Sequence, residues 1–187
     1  MSGRPIAEFV ERFLEGGREL FRARHTHPVL ISYEPDDESM EGQYRTEVIS
    51  GDAWQTVRDV VRDIEASVPP VTSMRPSIPG TVTSISKKQN RPFQDQIGVG
   101  RVANVDVSLP LSQVSKYHGY FTQLEDGSCT FTDTGSTNGT TVDSERIPPK
   151  TPVPLEDGSE ICFGRHRFRF YGAQAFCELV ARKAARR

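Results

Sequence analysis

From residue 81 to residue 171 the chain carries no helical periodicity; apolar and β-branched residues come instead in short runs closed by turn dipeptides. Residues 81–86 (Thr-Val-Thr-Ser-Ile-Ser) alternate apolar side chains with hydroxyls, the period of a strand with one covered face. Residues 117–124, 130–132, 140–142, 160–163 and 167–171 are further short candidates. Arg167-Phe168-Arg169-Phe170 sets rings on one face and guanidinium groups on the other, and Asp126-Gly127 and Asp157-Gly158 mark turns. Many short strands at close spacing predict an all-β sandwich.

Four polar blocks sit in a fixed order at the ends of these strands. They are Gly100-Arg101, Ser115-Lys116-Tyr117-His118, Gly135-Ser136-Thr137-Asn138-Gly139-Thr140, and Asp157-Gly158 followed by Phe163-Gly164, with Asp106 after the first. Singly they say little. An arginine after a glycine is ordinarily a solvated charge, a lone histidine is ordinarily structural, and Ser-Thr-Asn-Gly is by default a turn. Together they gather one permanent planar cation, two small hydroxyls, a lysine and an amide, a set suited to a phosphate rather than to bond-making.

In this order the blocks resemble a forkhead-associated (FHA) domain over Gly98 to Tyr171. The resemblance implies an all-β FHA-like sandwich that binds phosphothreonine peptides. It implies that Arg101, Ser115 and Thr137 reach the phosphate with Lys116 as a helper, and that Asn138 fixes the peptide backbone. It also implies that Gly100, His118 and Gly139 support the site, with the histidine bracing a loop rather than touching peptide. Phosphothreonine carries about −1.5 to −2 charges and three acceptor oxygens, which matches that donor set. Two departures stand out. Gly119 takes the place of the usual alanine, a change in strand packing. Asp143-Ser144 replaces the usual Asn-Gly hairpin tip, so a type I′ turn is less favoured there.

Net charge is −2 over 187 residues, unevenly spread. Residues 1–80 hold 9 basic and 14 acidic side chains, residues 81–172 hold 10 of each, and residues 173–187 hold 4 and 1. A neutral sandwich that takes an anion must gather its positive field locally, around Arg101 and Lys116 with Lys87, Lys88 and Arg91 further out. The short basic tail suits a helix C-terminus better than nucleic acid. No apolar run approaches the roughly 20 residues of a membrane helix, and no secretory signal is visible. Cys129, Cys162 and Cys177, an odd set without a Cys-x-x-Cys pair, read as reduced thiols of a cytoplasmic protein, not a zinc site or disulfide framework.

Residues 1–68 read as a small α-β-β-α unit. Ile6, Phe9, Val10, Phe13, Leu14, Leu20 and Phe21 fall on one helical face, Pro5 stands near its first turn, and Gly16-Gly17 interrupt it. Residues 29–31 and 44–49 are two candidate strands around an acidic loop, 34–42, and Asp52 with Gln55 opens a second helix. Asp36, Asp37 and Glu38 are consecutive and cannot converge on one metal; His25 and His27 have no obvious third ligand. No phosphate-loop or nucleophile-elbow pattern occurs. Such a unit is marginal alone and would pack on the sandwich or on a twin, making a homodimer. Residues 69–80, with four prolines, form a stiff linker, and residues 173–187 a terminal helix with Phe176, Leu179 and Val180 inward.

The expected function is a non-catalytic adaptor whose partner is a phosphothreonine-containing kinase substrate or kinase, with no cofactor, metal, nucleic acid or membrane involved. The alternative is a subunit of a larger assembly that uses the same fold as a phosphate-independent docking surface. A weaker option makes the N-terminal unit an enzyme regulated by the sandwich. Thr46 and Thr56 are weak candidates for self-recognition, since both fall inside expected regular structure.

Overall fold

Val29-Leu30-Ile31 is apolar at three successive positions, and a strand of that kind needs cover on both faces. The computed structural model, which describes residues 3–32, 80–88, 95–124 and 126–186, gives it that cover. In chain order the elements are β1 (Arg4–Pro5), α1 (Ile6–Arg24), β2 (Val29–Ser32), β3 (Thr81–Ser84), β4 (Gln96–Gly100), β5 (Val107–Ser108) and β6 (Gly119–Gln123). There follow β7 (Cys129–Asp133), β8 (Thr140–Val142), β9 (Glu145–Arg146), β10 (Pro152–Leu155), β11 (Glu160–Phe163), β12 (His166–Tyr171) and α2 (Ala173–Ala184). They build two sheets, ordered β1-β3-β2-β12-β11-β8-β9 and β10-β7-β6-β4-β5, antiparallel except for the β4–β5 pair.

The space between the sheets is filled from both sides by alternate residues. Leu30, Phe168, Phe170, Ile161 and Phe163 of the first sheet meet Ile97, Val99, Phe121 and Phe131 of the second, all buried. Phe121, Phe131, Phe163 and Phe168 follow one another at ring separations of 4.9, 5.3 and 5.6 Å. In β12 the expected alternation holds: Phe168 and Phe170 are buried and Arg169 is exposed.

A second apolar layer lies on the outer face of the first sheet. Val29 and Ile31, which alternate with the inward Leu30, join Val82, Phe9, Val10 and Phe21 of α1, and Phe176, Cys177 and Val180 of α2. Phe9 and Phe176 meet edge to face at 5.3 Å. Gly17, at φ 71° and ψ 176°, breaks α1 into two segments, as the glycine pair predicts. Leu14 and Leu20, expected inward, are exposed; the kink turns the helical face away from the single stripe that unbroken periodicity assumes. The terminal helix keeps Phe176 and Val180 buried, as expected.

The expected boundary at residue 68 therefore needs correction. Residues 3–32 belong to the same body as the sandwich: β2 pairs with β12 on one side and β3 on the other, and β1 extends the sheet beyond β3. The reason is burial. A separate two-stranded unit would leave one face of β2 wet, whereas the centre of a sheet beneath α1 and α2 covers both. Of the two covers expected, the sandwich or a twin, β2 and α1 find theirs within the same chain. The acidic loop, the strand at 44–49, the second helix, Thr46, Thr56 and all of the linker but Gly80 lie outside the described residues.

Strands β1, β4, β5, β9 and β10 were not foreseen. Gly98 and Gly100 hide β4, and Pro152 and Pro154 hide β10. Alternate positions aim their N–H at the same side, so both prolines lack donors on one edge, and β10 does stand at the sheet edge. The three described cysteines are free and buried; burial pushes the Cys129 thiol up to about 12. Among the described residues no helix is long and apolar enough to cross a membrane.

Phe176 is fully buried whereas Leu14 is 57% exposed. Phe176→Ala is expected to cost about 3–5 kcal/mol in urea unfolding and Leu14→Ala about 0.5 kcal/mol or less. Equal losses would show that α2 does not seal the outer face.

Candidate functional site

Arg101 leaves β4 at a place where two backbones press together. A Cβ on Gly100 would overlap the Lys116 carbonyl and come within 3.1 Å of the Tyr117 Cα, so no larger residue fits. That approach lets Arg101 N–H donate to the Ser115 carbonyl at 3.0 Å and His118 N–H to Val99 at 2.8 Å. The Gly-Arg block and the Ser-x-x-His block are thus clamped side by side through main-chain bonds.

The hydroxyl-bearing loop joins them. Ser115 Oγ donates to Thr137 Oγ1 at 3.4 Å and accepts from the Thr137 N–H at 3.1 Å. Asn138 Nδ2 donates to the Gln113 carbonyl at 2.8 Å, and Arg165 N–H donates to Gln113 Oε1 at 3.1 Å. Gly139 takes φ 76°, a left-handed conformation that suits glycine, as its place in the turn predicts. Arg101, Lys116, Thr137 and Asn138 are exposed and Ser115 is half-buried.

Beneath it runs a buried chain of hydrogen bonds whose proton positions follow from its ends. Asp133 accepts from Gly135 N–H and Ser136 N–H, both at 2.7 Å, from Ser136 Oγ at 2.7 Å and from Thr140 Oγ1 at 2.6 Å. Burial alone would raise its pKa; these donors outweigh that and hold the carboxyl below its ordinary value. Thr140 spends its one hydroxyl hydrogen on Asp133 and must accept from His118 Nε2, 3.2 Å away. His118 Nδ1 in turn accepts the Ser115 N–H at 3.1 Å. The ring is therefore neutral with its hydrogen on Nε2. Burial holds its pKa down although Asp133, with Oδ2 at 3.6 Å from Nε2, and the Gly139 main chain pull it up.

Asp106 braces the loop that follows Arg101. Its carboxylate accepts from Gly98 N–H at 2.8 Å, Lys88 N–H at 3.0 Å and Lys87 Nζ at 3.2 Å. Burial opposes its ionisation, but those donors lower its pKa. Lys88 Nζ reaches the Ala103 and Val105 carbonyls. Lys87 and Lys88, expected in the outlying positive field, are thus tied to this loop, and Arg91 lies outside the described residues. By contrast, no carboxylate among the described residues is within ion-pair distance of Arg101, Lys116, Arg146 or Arg165. A cleft of about 680 Å³, walled by Val102, Val105, Tyr117 and Tyr120, adjoins Lys116.

The hairpin tip corrects one expectation. Asp143 and Ser144 both take positive φ, 47° and 72°, the signature of a type I′ turn. Tertiary bonds offset the strain: the Asp143 carboxylate accepts from Ser159 Oγ at 3.0 Å and Glu160 N–H at 2.8 Å. Gly119 is a packing residue, as expected, since a Cβ there would overlap Phe131 and the Thr132 carbonyl. His25 stacks on Phe21 at 4.0 Å. Among the described residues no group of side chains could hold a metal. Asp133 and Thr140, which organise the site, were missed; Asp133 followed by Thr-Gly-Ser is an Asx-turn signal that could have found the first.

Residues 97–164 match the family model described as the FHA domain. This segment is an FHA domain. No curated protein matches the chain. Among solved structures, the N-terminal FHA domain of Rad53p from S. cerevisiae, in complex with a phosphothreonine peptide, is 19% identical, with 82% of this chain and 98% of that one covered at a TM-score of 0.44. EmbR of Mycobacterium tuberculosis, solved with a low-affinity phosphopeptide, is 21% identical over 65% of this chain and 31% of its own, at 0.42. A Rad53 chain with AMP-PNP is 22% identical over 55% of this chain, at 0.42, and the present chain spans only 29% of its length.

Two outcomes follow for the FHA segment. The unfolded chain takes a proton near the ordinary imidazole value of 6.5, whereas the buried His118 resists it. Stability is thus expected to be complete above that value and to fall as the pH drops toward the lowered folded value. His166, lowered by burial and by Arg165, adds in the same direction, so the loss should persist in His166→Gln; a flat profile between pH 7.5 and 5 in that variant would contradict the neutral ring. Gly100→Ala is expected to cost at least about 1–3 kcal/mol in urea unfolding by overpacking.

Proposed function

We propose that this FHA domain binds phosphothreonine-containing proteins. The observation that carries the reading is the exposed pair Ser115 Oγ and Thr137 Oγ1, 3.4 Å apart, beside Arg101 and Lys116, whose charges meet no carboxylate among the described residues. Arg101 offers a fork that can bind two phosphate oxygens at once and stays charged at any working pH. Ser115 can redirect its hydroxyl hydrogen from Thr137 Oγ1 to a phosphate oxygen, Thr137 has a hydroxyl hydrogen of its own to give, and Lys116 adds a mobile point charge. Asn138 spends one amide hydrogen on Gln113; its second hydrogen and its carbonyl oxygen remain to hold a peptide main chain. Gly100, His118 and Gly139 act from beneath. The protein then works as a cytoplasmic adaptor without catalysis of its own, bringing a kinase or kinase substrate to whatever residues 33–79 engage.

The cleft beside Lys116 favours a second reading, in which its apolar and aromatic wall docks a partner whatever its phosphorylation state.

The test is a paired titration of phosphorylated and plain peptides with wild type and Arg101→Ala. Micromolar binding of the phosphorylated form alone is expected, weakened on the order of 10- to 100-fold by the substitution, the loss of a charge-assisted bond pair. Equal binding of both peptide forms by the wild-type protein would overturn the phosphate reading and support docking.

A further inference from the structure

Arg146 stands on the short edge strand β9, opposite Thr141 of β8. An exposed arginine there would ordinarily be a solvated charge, but this one is held. A Cβ built on Gly139 would lie 2.5 Å from Arg146 Nη2, 2.8 Å from Cζ and 3.2 Å from Nε. All three are guanidinium atoms, so the planar group rests against the Gly139 Cα in the space a side chain would need. Gly139 follows Thr137 and Asn138, which puts a permanent cation alongside the peptide-facing loop. No carboxylate among the described residues lies within 4 Å of it, whereas Arg18 and Arg167 on other surfaces each have a glutamate. Glu145 precedes it and points to the opposite face of the strand.

A guanidinium laid flat on backbone keeps its edge N–H donors outward and has already lost much of its rotamer freedom, which lowers the cost of binding an anion. The phosphate has its own donors in Arg101, Ser115 and Thr137, so the group suited to Arg146 is a second, planar anion. We propose that Arg146 is a specificity-determining residue that pairs with an acidic side chain, Asp or Glu, flanking the phosphothreonine. The proposal rests on the phosphothreonine reading above and names the class of sequence that reading prefers. Arg165, pinned through its N–H to Gln113, adds to the positive rim without touching Gly139.

The test uses the full chain and a set of phosphothreonine peptides in which one aspartate is moved through the flanking positions, each paired with its asparagine isostere. Plain-threonine versions and one peptide carrying phosphoserine in place of the aspartate complete the set. Wild type is expected to favour aspartate over asparagine by about three- to tenfold at one or two neighbouring positions, less at high salt. In Arg146→Gln that ratio should fall to near one, and in Arg146→Lys to an intermediate value, with thermal melts reporting whether each variant folds. A wild-type ratio of one, a ratio unchanged in Arg146→Gln, or a gain confined to the doubly phosphorylated peptide would each overturn the assignment. Loss of phosphate dependence across all peptides would instead overturn both this and the underlying reading.

Discussion

A buried imidazole with hydrogen-bond partners at both ring nitrogens holds two surface loops in register. Ser115 N–H, His118, Thr140 and Asp133 form an unbroken donor-to-acceptor chain, and Asp133 also anchors the main chain of Gly135 and Ser136. One end of the chain carries the Ser115 hydroxyl and the other carries Thr137 and Asn138. Such a network is worth most when every member is satisfied, because a single buried group left unpaired costs more than a satisfied bond contributes. The ring also packs edge to face on Phe163 at 5.1 Å, so the polar chain and the apolar core share one wall. The hydroxyl pair at the surface is positioned by this interior and not by the loops' own preferences.

The sandwich contributes rigidity where the site needs it. Strands β4, β6, β7, β8 and β11 all end at the loops in question, and the core between them is apolar and aromatic. The domain balances its charges overall, yet spends them unequally. Lys87 and Lys88 are used to fasten the loop behind Arg101, while Arg101, Lys116, Arg146 and Arg165 are left without carboxylate partners among the described residues. A neutral body can in this way present a concentrated positive field at one end.

The residues of the candidate surface stand out in the sequence because their chemistry is local. Arg101, Ser115, Thr137 and Asn138 each sit in a short block whose residue types suit an anion, and the glycines beside them mark close approaches and turns. What lay below was not legible. Asp133 carries a local turn signal but nothing that ties it to His118, Thr140 looks like an ordinary strand residue, and Arg146 gains meaning only when Gly139 is found beneath its guanidinium. The same distinction explains the domain boundary. The apolar run at residues 29–31 announces a strand covered on both faces, but not that its neighbours come from β3, some fifty residues on, and from β12 at the far end of the chain. Glycines in β4 and prolines in β10 lowered local strand preference, and tertiary pairing overrode it.

The neutral His118 ring, protonated at Nε2 and receiving the Ser115 N–H at Nδ1, is the claim on which the site's geometry depends. Imidazole nitrogen-15 NMR at neutral pH measures it directly. A single tautomer is expected, with the hydrogen on Nε2 and coupling between Nδ1 and the Ser115 amide. A ring protonated at Nδ1, or charged, would contradict it.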